Sequence, residues 1–177
     1  MFLAVFHVDD LQCPVKVLTH LDDINAALGG ADIHCADDGA MRGLDRAVLE
    51  DDAQLLDAAA RVLPGGHACC DVLRMEGPPG YAVASDARAE PEALAGGPVV
   101  WHVIRGGGQL VMRIGDTLAV VECGPGEAVG LAAGTRHWFR PAAGQRCIIL
   151  RTAPVAAALE RCPSGSDLAA RFPGFGL

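Results

Sequence analysis

The sequence predicts a mainly β protein with helices packed at its periphery. Three observations carry that expectation. From Val99 to Phe139, short apolar runs alternate with Gly-rich turns such as Gly106-Gly107-Gly108 and Gly124-Pro125-Gly126, the pattern of a small antiparallel barrel or sandwich. Apolar strand-like runs flank this stretch at residues 2–8 and Arg146–Thr152. Helical periodicity is clear in one long segment only, Leu44–Val62.

In chain order, residues 2–8 and 14–19 read as strands. A short helix over Leu21–Leu28 follows, capped by Thr19 or Asp22 and ended by Gly29-Gly30. Ala31–Cys35 is a short strand, and the acidic, Gly-containing Ala36–Gly43 a loop. The helix Leu44–Val62 places Leu44, Val48, Leu55, Leu56, Ala59 and Val62 on one stripe, with acidic residues in its first half favouring the dipole, and Pro64-Gly65-Gly66 stops it. Cys69–Met75 reads as a buried strand. Glu76–Pro98 is rich in Ala, Gly and Pro, carries Asp86, Arg88, Glu90 and Glu92, and reads as a long functional or mobile loop with one strand near Tyr81–Ala84. After the central strands and Arg146–Thr152, Val155–Arg161 reads as a short helix and the tail as loose.

With 177 residues, 51% hydrophobic and 20% charged, the chain is long and apolar enough for one domain over 1–177. Its parts are 1–75 as an N-terminal layer, 76–98 as the loop, 99–152 as the central β unit and 153–177 as the tail. No apolar run reaches the roughly 20 residues of a membrane span. The N-terminus reads as a first strand rather than a leader, since it lacks a basic region and meets acid at Asp9. The net charge of −8, with no basic stripe, argues against nucleic acid and anionic membranes as partners, and does not by itself identify a substrate. Seven scattered cysteines without a Cys-x-x-Cys pair suit a reducing cytoplasm and buried thiols, and Cys69 and Cys70 should point to opposite faces of their strand.

Ile114-Gly115-Asp116 and Ala133-Gly134-Thr135-Arg136-His137-Trp138-Phe139, with the Asp71-Val72-Leu73 strand and the Leu21-Asp22-Asp23-Ile24 helix, resemble the acireductone dioxygenase family of the cupin superfamily. The resemblance covers nearly the whole chain. It implies a single cupin-type, double-stranded β-helix barrel with an N-terminal α/β extension, and dioxygenase chemistry at an iron or nickel ion. The second cupin motif, G-x5-P-x-G-x2-H, is met by Gly126, Gly134 and His137, with Ala132 in the proline position. The first, H-x-H-x3-E-x6-G, keeps Gly106, but its ligand positions fall on Ala93, Ala95 and Val99. Three of the four metal ligands that the resemblance implies are therefore replaced by side chains with no lone pair. A lone imidazole provides no chelate for a catalytic metal. No cofactor is expected on that ground, with iron or nickel only as the alternative.

His137 is the surviving candidate. An imidazole in an apolar interior titrates near physiological pH and is a ready acid or base, although a histidine supporting the turn under Trp138 is the plainer reading. Glu92 lies beside the lost histidines as a second catalytic candidate, while Glu90 reads as a solvated loop carboxylate. Trp101 occupies the position of the family's substrate-binding arginine and presents an aromatic wall instead of a guanidinium fork. Regular alternation puts Val99, Trp101 and Val103 on the inner face, and Trp138 and Phe139 complete the expected substrate-binding set. The same alternation turns His102 outward, and only a bulge would bring it to His137 as a rebuilt metal site. Cys123 and Cys147 read as packing thiols.

Three functions follow. The first is a divergent enzyme in which His137 performs metal-independent isomerisation, cyclisation or dehydration of a small molecule, in keeping with specialised metabolism. The second is an oxygenase with an iron site rebuilt from His137, His102 and a loop glutamate. The third is a pseudoenzyme that binds a ligand or serves a structural role.

Overall fold

The computed structural model describes residues 1–42, 50–63, 69–77 and 90–175. Its strands, numbered in chain order, form two antiparallel sheets. The larger runs β12 (Arg161–Pro163), β5 (Ala93–Ala95), β10 (Arg136–Pro141), β7 (Gly108–Ile114), β8 (Thr117–Cys123), β1 (Phe2–His7) and β2 (Lys16–Leu18). The smaller runs β3 (His34–Asp37), β9 (Glu127–Leu131), β6 (Val99–Arg105), β11 (Arg146–Ala153) and β4 (Cys69–Glu76).

Side-chain alternation along these strands divides the apolar residues into layers. Leu3, Leu110, Met112, Val121 and Phe139 from the larger sheet meet Val99, Trp101, Val103, Val129 and Ile149 from the smaller one in a single shared core. The opposite face of the larger sheet carries Phe6, Val111, Val120 and Trp138, covered by Leu168 and Ala169 of α4 (Leu168–Arg171) and by Phe172. The opposite face of the smaller sheet carries Ile104, Ile148 and Leu150, covered by Met41 of α2 (Gly39–Arg42) and by Leu55 and Ala59 of α3 (Asp52–Val62). Each large side chain so buried stabilises the fold by roughly 1.5–3 kcal/mol. The helix α1 (Leu21–Leu28) inserts Ile24 and Leu28 into the shared core, and Asn25 bonds both backbone groups of Cys35, at 2.9 and 2.7 Å, which fixes β3 beside it. Fold and layers are thus mainly β with peripheral helices.

Several expectations shift. The cap of α1 is His20, with no side-chain bond, rather than Thr19 or Asp22, and a 3-10 turn over Gly29–Ala31 carries the chain past the glycines. The turn ends at Asp32 in the left-handed region, so β3 begins at His34 rather than Ala31. Within the expected loop Ala36–Gly43, Gly39–Arg42 forms a short helix whose Met41 is drawn onto the sheet. The long helix starts only at Asp52, because the Asp51 carboxylate caps it by accepting from the Ala53 and Gln54 amides. Leu44 and Val48 of the expected stripe, Pro64-Gly65-Gly66, the strand near Tyr81–Ala84, Asp86 and Arg88 lie outside the described residues.

β4 is half-buried rather than buried, since it forms the edge of its sheet. The expected helix over Val155–Arg161 is a 3-10 turn over Ala156–Leu159, after which Arg161 starts a strand on Ala95. The tail is packed: Phe172 is buried, and Arg140 donates to the carbonyls of Phe172 and Pro173 at 2.9 and 3.0 Å. Among the described residues no helix is long and apolar enough to cross a membrane.

Candidate functional site

The turn that delivers His137 depends on its glycine. Gly134 has φ +75°, where a side chain would be strained, and the turn it forms closes on β5 through Gly134 N–H to Ala95 O at 2.8 Å. Strand β10 then alternates. His137 faces Met112 across the ladder and Phe139 faces Leu110, both core residues, while Trp138 faces Val111 on the other side. His137 is 1% exposed.

Its ring has a defined polarity. Nδ1 lies 3.0 Å from the carbonyl oxygen of Thr135, which can only accept, so the neutral ring carries its proton on Nδ1. Nε2 is left with a lone pair, buried and without a hydrogen-bond partner among the described residues. Burial holds the imidazole's pKa down at about 4 from 6.5; the Thr135 bond opposes this, and the charges of Arg161 and Arg151 add to it. At neutral pH the group is an uncharged base.

Trp101 reaches His137 from the other sheet. The two rings meet edge to face with centroids 5.3 Å apart, and Phe139 stacks near-parallel on the indole at 6.1 Å. Two guanidinium groups also lie against that indole, Arg151 at 5.4 Å and Arg161 at 5.8 Å from its centroid. The strand registers explain the convergence. Arg151 of β11 lies opposite both Asp71 of β4 and Trp101 of β6, so the three share the inner face of the smaller sheet. Arg161 of β12 lies opposite Ala95, and His137 opposite Ala93, so these share the inner face of the larger one.

Each arginine carries its own carboxylate. Arg151 donates from Nε to Asp71 Oδ1 at 2.9 Å and from Nη2 to Asp71 Oδ2. Arg161 donates from Nη1 to Glu90 Oε2 at 2.6 Å. Sequence reasoning missed all four residues. Glu90 in particular is an ion-pair partner of the site and not a solvated loop carboxylate. Arg161 could have been suspected only once β12 was known to pair with β5.

Of the expected site residues, the structure brings His137, Trp101 and Phe139 into direct ring contact, with Val99 and Val103 flanking Trp101 on the same inner face. It does not bring Trp138, which belongs to the layer under Phe172, with ring centroids 6.3 Å apart. Nor does it bring Glu92 to His137. Glu92 is 1% exposed, but its carboxylate accepts from Arg136 Nη1 at 3.4 Å, and Arg136 precedes His137 and so projects from the opposite face.

His102 is likewise separate, as regular alternation expects. Its Nε2 is 3.2 Å from Thr152 Oγ1 and its Nδ1 3.3 Å from Asp38 Oδ2, on the outer face of the smaller sheet. A register shift does occur between β6 and β11, but beyond His102, where Arg105 and Val103 oppose Ile148 and Ile149 and leave Ile104 unpaired. An iron site built from His137 and His102 is excluded by this geometry.

The metal that the resemblance implies does not fit these residues. Ala93, Ala95 and Val99 are buried at the implied ligand positions and offer no donor atom. Two guanidinium groups close to the one remaining imidazole oppose a divalent cation electrostatically. Among the described residues no group of three or more His, Cys, Asp or Glu side chains is placed to share an ion. Burial pushes the Cys35 and Cys147 thiols up to about 12 and holds that of Cys123 well above its ordinary value, so these are packing groups and not thiolate ligands.

No family model matches the chain. It is 26% identical over 192 residues to the acireductone dioxygenase of Pseudomonas savastanoi pv. phaseolicola, covering 97% of this chain and 96% of that one. It is 25% identical over 174 residues to the acireductone dioxygenase of Pseudomonas syringae pv. syringae, with the same coverage. Among solved structures it resembles the acireductone dioxygenase of Bacillus anthracis with a cadmium ion in its active centre, with a TM-score of 0.64, 14% identity, and 90% and 96% of the two chains covered. The match to the Pseudomonas enzymes runs nearly end to end, and the fold agrees with that of the Bacillus enzyme. The chain is a divergent homologue of the acireductone dioxygenases, and among the described residues the metal cradle is not preserved.

Proposed function

We propose that this protein acts on a small organic molecule held between its two sheets, by acid–base chemistry that needs no metal, with His137 as the base. The observation that carries the reading is the Nε2 lone pair, buried, aimed into the shared core and without a partner among the described residues, with its tautomer set by the Thr135 carbonyl. A base so placed removes a proton from a carbon next to a carbonyl. The electrons of the C–H bond pass into an enolate, whose negative charge Arg151 and Arg161 stabilise from beside Trp101. Nε2 then returns the proton to another atom of the same molecule, since a buried imidazolium beside two guanidinium groups is more acidic than a free one. This is a single-base isomerisation, and cyclisation or dehydration can begin from the same enolate.

The reading includes closure of the two sheets as the double-stranded β-helix of a cupin, supported by their shared core and by the likeness to the Bacillus enzyme. It also places the protein in a reducing cytoplasm, which suits cysteines that are all free.

The test is proton exchange in D2O, followed by NMR over a panel of enolisable ketones. The expected result is deuterium incorporation next to the carbonyl by the chelator-treated protein, lost in His137→Gln. Exchange that requires added iron or nickel, or that persists in His137→Gln, contradicts the proposal. Ligand binding without exchange across the panel supports the pseudoenzyme instead.

A further inference from the structure

The geometry points to a carboxylate-binding site at the free edge of the Arg161 guanidinium, so that the molecule presented to His137 is a short monocarboxylate. This rests on the small-molecule reading above and names the class of molecule. Arg161 uses Nη1 on Glu90, but its Nε and Nη2 are buried and have no hydrogen-bond partner among the described residues. Those two atoms form the edge of the guanidinium whose N–H bonds run parallel and match the two oxygens of a carboxylate.

The protein itself shows what such an edge takes. Arg151, lying against the same indole, has that edge filled by the two oxygens of Asp71. Two arginines share one tryptophan: the Nε/Nη2 edge of Arg151 holds a carboxylate, while Arg161 meets Glu90 through Nη1 and keeps that edge unfilled among the described residues. Glu90 is then a positioning residue, which holds the Arg161 plane from the far side.

The surroundings set the size and polarity of the occupant. Between Arg161 and His137 runs β5, whose inward side chains there are Ala95 opposite Arg161 and Ala93 opposite His137. Two strand spacings separate the β12 and β10 backbones by about 10 Å, and the Arg161 and His137 side chains take up part of that distance, which limits the occupant to a few carbons. The Trp101 indole Nε1–H is also buried without a partner among the described residues, and is a second donor for an oxygen of the occupant. His137 Nε2 is an acceptor at the other end. Donors at one end and a base at the other orient a carboxylate toward Arg161 and its carbon chain toward His137.

The test is isothermal titration calorimetry at pH 7.5 with butyrate and benzoate, against butyramide and benzamide as neutral isosteres. The expected result is saturable binding of an acid, with its amide at least about ten-fold weaker, as for loss of a charge-assisted bidentate contact. Arg161→Gln should lose acid binding by about ten-fold or more, and Arg161→Lys, which keeps the charge but not the fork, should fall between. Should Arg161→Gln fail to fold by circular dichroism, Arg161→Lys decides. Equal binding of acid and amide, wild-type acid affinity in both Arg161 variants, or no saturable binding of either acid overturns the inference. His137→Gln separates the two readings, because it should lose proton exchange while the acid still binds more tightly than its amide through Arg161. Exchange that depends on His137 without any acid binding sinks only the carboxylate site.

Discussion

Replacing His137 by Gln should change how stability responds to pH, and the size follows from the buried ring. In the folded chain the imidazole titrates at about 4, against 6.5 when exposed. Between those values the unfolded chain binds a proton that the folded chain refuses, so stability falls as pH is lowered through that window. The full difference corresponds to about 3 kcal/mol below pH 4, and about 2 kcal/mol of it is already lost between pH 7 and pH 5. Gln does not titrate, and its amide can still donate to the Thr135 carbonyl. Wild type and His137→Gln should therefore melt with a gap that moves in favour of the variant by about 4–8 °C on going from pH 7 to pH 5, for a chain of this length. Differential scanning calorimetry at matched ionic strength reads this directly. Parallel curves for the two proteins across pH 7 to 5 would refute the reasoning, because the common carboxylate titrations cancel in the comparison.

Two further outcomes follow. Trp101→Ala removes a side chain that is 2% exposed and touches His137, Phe139 and both arginines, so it should cost roughly 3–5 kcal/mol in urea unfolding, while Trp101→Phe should retain most of the stability. Protein purified without chelator should carry no stoichiometric iron, nickel, zinc or manganese by elemental analysis. Dialysis against EDTA should also leave its melting temperature unchanged, because only one of the implied ligand positions still bears a donor.

What the sequence showed well was local. Period-2 alternation is a property of the strand itself, so it put Val99, Trp101 and Val103 inward and His102 outward without knowledge of any partner strand. The glycines that enforce the turn before His137 were legible for the same reason. The charged half of the site was not. Arg151 meets Asp71 across 80 residues of chain and Arg161 meets Glu90 across 71, through pairings that depend on strand order. Glu92 is a candidate by sequence through its place beside the lost histidine positions of the family motif. Its position just before β5 sends its side chain to the face of Arg136 instead. The Ala-rich run before Arg161 has helical composition, and it is the pairing of Arg161–Pro163 with β5 that limits it to one 3-10 turn. Trp138 and the tail were misjudged together, since the layer that buries Trp138 is made by Phe172.

The most direct test of the account is the protonation state of His137, read by NMR on protein labelled with 15N at the histidine rings and assigned through His137→Gln. The account predicts a neutral ring at pH 7 with the proton on Nδ1, a bare Nε2, and titration at about 4. An imidazolium at pH 7, or a neutral ring with the proton on Nε2, would contradict it, because neither leaves a lone pair facing the core.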